Sequence, residues 1–211
     1  MAGFPKGIST GHHPKGFPKE TPACPGVITG MAQDDAGLEL TVRAPPGAEG
    51  FSFDFAFYTY EWPVYICSTY NDLFVSLLTP IPAGQGDGNI SFDSDKNLIS
   101  VNSAFLGACG CGASTCWDGG KEFPCPCVAG GKEYACELGT SSLLGTGFDA
   151  AASTGWLMTT APVAPGEEIT LRWAIYDSGD GALDSTTLID NWKWIGEPGV
   201  GVTTSRASYV P

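Results

Sequence analysis

The chain has 211 residues and a net charge of -13, from 23 Asp and Glu against 10 Lys and Arg. That length suits one domain with appendages, the charge argues against binding nucleic acid through phosphates, and 43% hydrophobic residues exclude a wholly disordered acidic chain. The 29 Gly and 16 Pro disfavour a helical bundle and favour strands joined by many turns.

In chain order, residues 1–26 read as an extended arm rich in Pro and Gly, in which Gly-Phe-Pro-Lys occurs twice. Lys6, Lys15 and Lys19 against Glu20 make residues 1–20 net +2, so the remainder carries -15. An arm of this composition cannot bury a core of its own and is expected to be a flexible leader, the alternative being docking on its own or a neighbouring acidic body. No apolar run follows Lys6, so no signal peptide is visible, and no C-terminal hydrophobic anchor is visible either.

From about residue 37 the hydrophobic period is two. Leu38, Leu40 and Val42 alternate with Glu39, Thr41 and Arg43. Phe51, Phe53, Phe55 and Phe57 alternate with Ser52, Asp54 and Ala56, which predicts a strand with its aromatics on the core face. Residues 73–78 form a short apolar strand, far too short to span a bilayer. Residues 89–93 and 98–101 flank a turn and read as a hairpin. The Asp93, Asp95, Asn97 spacing there resembles the start of an EF-hand loop, but Leu98 and Ala104 stand where Gly and Glu are needed.

Six of eight cysteines, Cys109, Cys111, Cys116, Cys125, Cys127 and Cys136, lie in one glycine-rich stretch, residues 108–137, while Cys24 and Cys67 stand alone. The spacings contain no C-x2-C pair and no nearby His, so disulfides in an exported protein are expected rather than structural zinc. Residues 156–160, the alternating set Ile169, Leu171, Trp173 and Ile175, and residues 188–195 supply the remaining strands, with residues 197–211 as a tail. The prediction is an all-β, antiparallel two-sheet sandwich over residues 27–196, jelly-roll-like, with a disulfide-rich insertion.

Hydrolase signatures are missing. His12 and His13 lie in the arm, so the body cannot hold a Ser-His-Asp triad, and there is no G-x-S-x-G, H-E-x-x-H or phosphate loop. The chain is therefore expected not to be an enzyme. The densest polar group is Asp177, Asp180, Asp184 and Asp190 within 14 residues, and calcium takes such oxygen donors from acidic, glycine-containing loops. Asp190, set among Leu188, Ile189 and Trp192, needs a partner if buried. Glu61, Asn71 and Asp72 form a second polar group. Trp62 and Trp117, in loop-like segments, are the candidates for an exposed ligand platform, whereas strand alternation assigns Trp173 to the core.

The order of these motifs carries further information. Phe51 to Tyr58, Glu61-Trp-Pro, Asn71-Asp-Leu-Phe74, Asn89 to Asp93, Leu144-Gly-Thr-Gly147, Thr154-Gly-Trp-Leu157, Asp177-Ser-Gly-Asp180 and Asp184 to Asn191 occur in succession. Over residues 27–196 the chain resembles the choice-of-anchor L family of bacterial surface domains, of myxobacterial type. The resemblance implies export and attachment by one of several anchors, to the bacterial cell surface or the medium, without a defined activity. It implies that Glu61, Asn71, Asp72, Asp177, Asp180, Asp184 and Asp190 occupy recurring polar positions of the family. The chain departs from the pattern in its long cysteine-rich insertion and in showing no anchor. The functional expectation is a non-enzymatic structural or adhesion module, stabilised by Ca²⁺. Its expected partners are other surface proteins, glycans or copies of itself, with neither nucleic acid nor membrane insertion. The alternatives are a subunit of an extracellular filament joined through its terminal arms, and a glycan-binding module or two-carboxylate glycosidase.

Overall fold

The structure is a computed structural model and describes residues 14–27, 29–103, 105–110, 115–118, 121–124 and 127–208, with the side chains of 115–118, 121–124, 129 and 132 outside the description. Strands β1 (Ala32–Arg43), β2 (Gly50–Thr59), β3 (Leu73–Thr79), β4 (Ile99–Ser100) and β5 (Ala108–Cys109) come first. Two small ribbons follow, β6 (Thr115–Asp118) with β7 (Lys121–Pro124), and β8 (Cys127–Ala129) with β9 (Lys132–Tyr134). After one 3-10 turn, Ser141–Leu143, come β10 (Ala152–Pro162), β11 (Glu168–Ser178), β12 (Ser185–Ile195) and β13 (Thr203–Arg206).

Two antiparallel sheets result. One has the order β1-β11-β3-β4, and the other β12-β2-β10-β13 with β5 added against β10. The nested pairing of β1 with β11, β2 with β10 and β3 with β4 is a jelly-roll arrangement. The main core lies between the sheets. Phe51, Phe53, Phe55 and Phe57 are all fully buried. The Phe53 ring meets Trp173 edge-on at 5.4 Å, and Phe55 meets Phe74 at 4.9 Å. The alternation of β2 and β11 thus does what period two predicts, because each strand has one face against the opposite sheet.

Two strands depart from their simple alternation. In β1, Leu38 and Leu40 are 59% and 39% exposed, and of that apolar row Val42 alone packs on the core. This strand is the edge of its sheet, paired on one side by β11. In β12 the register slips between Asp190 and Lys193, where Asn191 takes φ +57°. A bulge of one residue exchanges the faces. Ile189, Trp192 and Trp194 therefore all pack on the core, while Leu188 and Asp190 face out.

The arm is more ordered than a flexible leader. From residue 14 it lies on the outer face of the β1-β11-β3-β4 sheet. Phe17, only 5% exposed, packs there with Ala32, Leu73, Val75, Ala174 and Tyr176 in a second core. Cys24 is bonded to Cys67. Thr21 Oγ1 donates to Asn97 Oδ1 at 3.1 Å, and Ala23 N donates to the same oxygen at 2.8 Å. Lys19 pairs with Asp87 at 2.5 Å. The outer face of a sheet exposes apolar residues unless something covers it, and here the arm supplies the cover. The tail is likewise partly structured, since Thr203–Arg206 adds a strand to β10.

The insertion is stapled. Cys109 is bonded to Cys136, and Cys127 is also disulfide-bonded. Beneath it lies a third core of Trp62, Ile66, Val101, Leu106, Tyr134 and Ala152 with these cysteines. Cys111 and Cys125 lie outside the described residues, as does the side chain of Cys116. The predicted hairpin at 89–101 is reduced to a bridge between Phe92 and Leu98 around a tight turn. Asp93 there is 1% exposed and accepts from Asp95 N, Asn97 N and Asn97 Nδ2. This carboxylate shapes a turn, in agreement with the missing EF-hand positions.

Candidate functional site

One end of the sandwich collects the polar residues that the sequence singles out. β2 ends there, β3 begins, β11 ends and β12 begins, because antiparallel pairing sets Tyr176 opposite Leu73 and Ser185 opposite Thr59. The links between them, residues 60–72 and 179–184, carry Glu61, Asn71, Asp72, Asp180 and Asp184, with Asp177 at the end of β11. The links are held close. Asn71 N donates to Ser178 O at 3.3 Å, Gly179 N to Met31 O at 3.0 Å and Tyr60 N to Asp184 O at 3.3 Å. Gly179, at φ +102°, lies so near Thr69 O that a side chain there would stand 2.9 Å from it. Only glycine meets both demands.

The carboxylates at this end are buried to different depths. Glu61 and Asp72 are 2% and 1% exposed and Asn71 is fully buried, Asp177 is half-buried, and Asp180 and Asp184 are exposed. Ser185 Oγ donates to Asp72 Oδ2 at 2.5 Å. Glu61 Oε2 and both amide atoms of Asn71 are buried with no hydrogen-bond partner. Burial pushes the Glu61 carboxyl up to about 8, and the charges of Asp180 and Asp177 add to the effect. Burial also raises Asp72, against the opposing bond from Ser185 and with the charge of Glu61 adding to it. Asp177 is raised by burial and then by the nearby Asp72. Asp34, at the start of β1, also presses on Asp177 and was not foreseen as a member of the group.

The structure brings together Glu61, Asp72, Asp177, Asp180 and Asp184, drawn from both polar groups of the sequence. It sets Asp190 apart. Asp190 pairs with Asp54, five residues along β12 from the Ser185–Thr59 pair, or about 17 Å away along a strand. Asp190 is exposed and accepts from Asn191 N at 2.6 Å, so the bulge, rather than a buried partner, accounts for this residue. Among the described residues, no three His, Cys, Asp or Glu side chains already stand in a chelating arrangement.

Trp62 is not an exposed platform. It is 2% exposed, stacks edge-on against Tyr134 at 4.6 Å and donates to Gly110 O at 3.3 Å. The insertion folds over it, which its loop-like flanks could not reveal. The side chain of Trp117 lies outside the described residues. The rings at the acidic end are others. Tyr60, 38% exposed, stacks on Phe148 at 4.7 Å, and Tyr58 lies 5.4 Å from the same ring. Tyr60 neighbours Glu61 in sequence, whereas Phe148 arrives from a distant loop, so no local pattern could have paired them.

A separate cavity of about 490 Å³ opens where the arm meets the insertion, lined among others by Pro22, Asn97, Asn102, Glu133, Tyr134 and Glu137.

No curated protein and no solved structure matches the chain. A family profile described as Choice-of-anchor L domain matches residues 29–192, from just before β1 to the last core strand. The match covers most of the sequence and spans all the elements that build the acidic end, and the chain therefore belongs to the Choice-of-anchor L family.

Proposed function

We propose that this chain is an exported, non-enzymatic adhesion and structural module that binds through the loop end of its sandwich. Family membership makes it a surface-associated or secreted module, of a kind that is not a known enzyme class. The observation that carries the binding role is the stacked pair of exposed Tyr60 and half-buried Phe148 beside the acidic loops. Aromatic faces at a wet surface give a flat apolar platform with a polar rim, which suits the faces of sugar rings. Glycans of neighbouring surfaces are thus the favoured partner class. Internal use of the terminal segments, by the Cys24–Cys67 bond and by β13, supports a self-contained body over a filament joined through its arms.

The test is binding of labelled protein to a glycan array and to bacterial surface polysaccharide. Binding is expected, with a loss of at least tenfold on replacing Tyr60 and Phe148 together by Ser. A wild-type chain silent on both, or a double variant that binds unchanged, removes the reading.

A further inference from the structure

We propose that the acidic end of the sandwich is a divalent-cation site for Ca²⁺, with Glu61, Asp72 and Asp177 as its inner ligands and Asp180 at its mouth. The two ends of the link after β2 supply Glu61 and Asp72, and the end of β11 with its following loop supplies Asp177 and Asp180. Strand pairing brings them to one end: Tyr176 stands opposite Leu73, Ser185 stands opposite Thr59, and Ser185 Oγ donates to Asp72 Oδ2 at 2.5 Å. The charges of Asp180 and Asp177 reach Glu61 there. The charges that press on them are those of other carboxylates.

A second observation is independent of the clustering of charge. Glu61 is 2% exposed, and its Oε2 has no donor. A buried acceptor left unpaired is costly, and so is a buried charge without a counter-charge. Asn71, fully buried beside Asp72, also has its Oδ1 unpaired. Lys19, Arg43 and Arg206 pair elsewhere, with Asp87, Glu168 and Glu137. A cation entering from solvent would satisfy the orphaned oxygen and neutralise its neighbours together.

The donor set selects the ion. Every group is an oxygen: the carboxylates, the Asn71 Oδ1 and the Ser185 hydroxyl. With neither His nor Cys in the set, zinc and copper are disfavoured and a hard cation is favoured. Ca²⁺ takes six to eight oxygens in irregular geometry, whereas Mg²⁺ demands a near-ideal octahedron and keeps its waters. Ligands gathered from two links, some buried and some exposed, suit the first.

The experiment is thermal unfolding of the full chain in Ca²⁺ and in EDTA, with Tb³⁺ luminescence as a direct probe of the site. Ca²⁺ is expected to raise the melting temperature by at least about 5 °C and to displace Tb³⁺ whose emission is excited through Tyr60. Glu61→Gln and Asp177→Asn should each weaken Ca²⁺ binding at least tenfold while melting in EDTA no lower than the wild type, because each relieves the crowding of acidic groups at this end. Asp190→Asn should respond as the wild type does. No shift and no Tb³⁺ signal in the wild type overturns the proposal. A Glu61→Gln variant that binds Ca²⁺ normally overturns the ligand set, and an equal response to Mg²⁺ overturns the choice of ion. Every arm omits glycans and cells, so failure of the adhesion reading leaves this result standing, and the reverse.

Discussion

Glu61 shows how one residue's surroundings set its chemistry. Its flanks, Tyr60 and Trp62, are aromatic, and its carboxyl is enclosed where the link after β2 turns back under the loop after β11. The buried group prefers its proton, with a value near 8 against an ordinary 4.5. Below pH about 4.5 the carboxyl is protonated in the folded and the unfolded chain alike, and burial carries no charge penalty. Between there and about 8 the unfolded carboxylate ionises while the folded one holds its proton, so stability falls as pH rises. In EDTA the melting temperature should therefore drop from pH 5 to pH 8, and Glu61→Gln should flatten that slope. A wild-type slope that Glu61→Gln leaves unchanged would contradict the assignment. Trp62 gives a second residue-level expectation. Its ring fills the third core, so Trp62→Ala should cost ~3–5 kcal/mol in denaturant unfolding, far more than the loss of a surface platform would.

At the scale of elements, period two is a reliable guide to a strand and a poorer guide to which face is buried. β2 obeys it because both neighbours and the opposite sheet are present, and Phe53→Ala should cost ~3–5 kcal/mol. β1 has the same pattern in Leu38, Leu40 and Val42, yet it is an edge. Leu38→Lys should change stability by less than about 0.5 kcal/mol, and it adds the kind of charge that protects an exposed edge. The two substitutions, compared by urea unfolding, separate core from edge directly. β12 makes the same point through a bulge. Before Asn191 the inward residue is Ile189, and after it Trp192 and Trp194. The position of Asp190 follows from that slip and from nothing in its own neighbours.

At the scale of the whole molecule, the terminal arm and the insertion finish surfaces that the sandwich leaves open. Phe17 closes the outer face of one sheet, and the Cys24–Cys67 bond closes a loop of 43 residues across it. Replacing both cysteines by Ser should lower stability by about 2–4 kcal/mol and should open residues 14–27 to proteolysis while the sheets persist. If the arm stays protected in that variant, packing alone holds it. Such staples belong to oxidising surroundings, in keeping with a surface-associated family.

Much was determined by the sequence alone: the strands from their alternation, the sandwich from their number and turns, the cysteines as staples from their spacing and compartment, and the family from the order of short motifs. These are local or compositional properties, carried by neighbouring residues whatever the rest of the chain does. Only the tertiary structure decided which polar residues meet. Glu61, Asp72 and Asp177 converge because antiparallel pairing brings three distant strand ends to one edge, while Asp190, nearer in sequence to Asp177 than Asp72 is, is carried away along β12. It likewise decided that Trp62 is interior and that the arm is a cover, since burial depends on what arrives from elsewhere. Registers, bulges and the segments that lie on a sheet are non-local contacts, and a period of two contains no record of them.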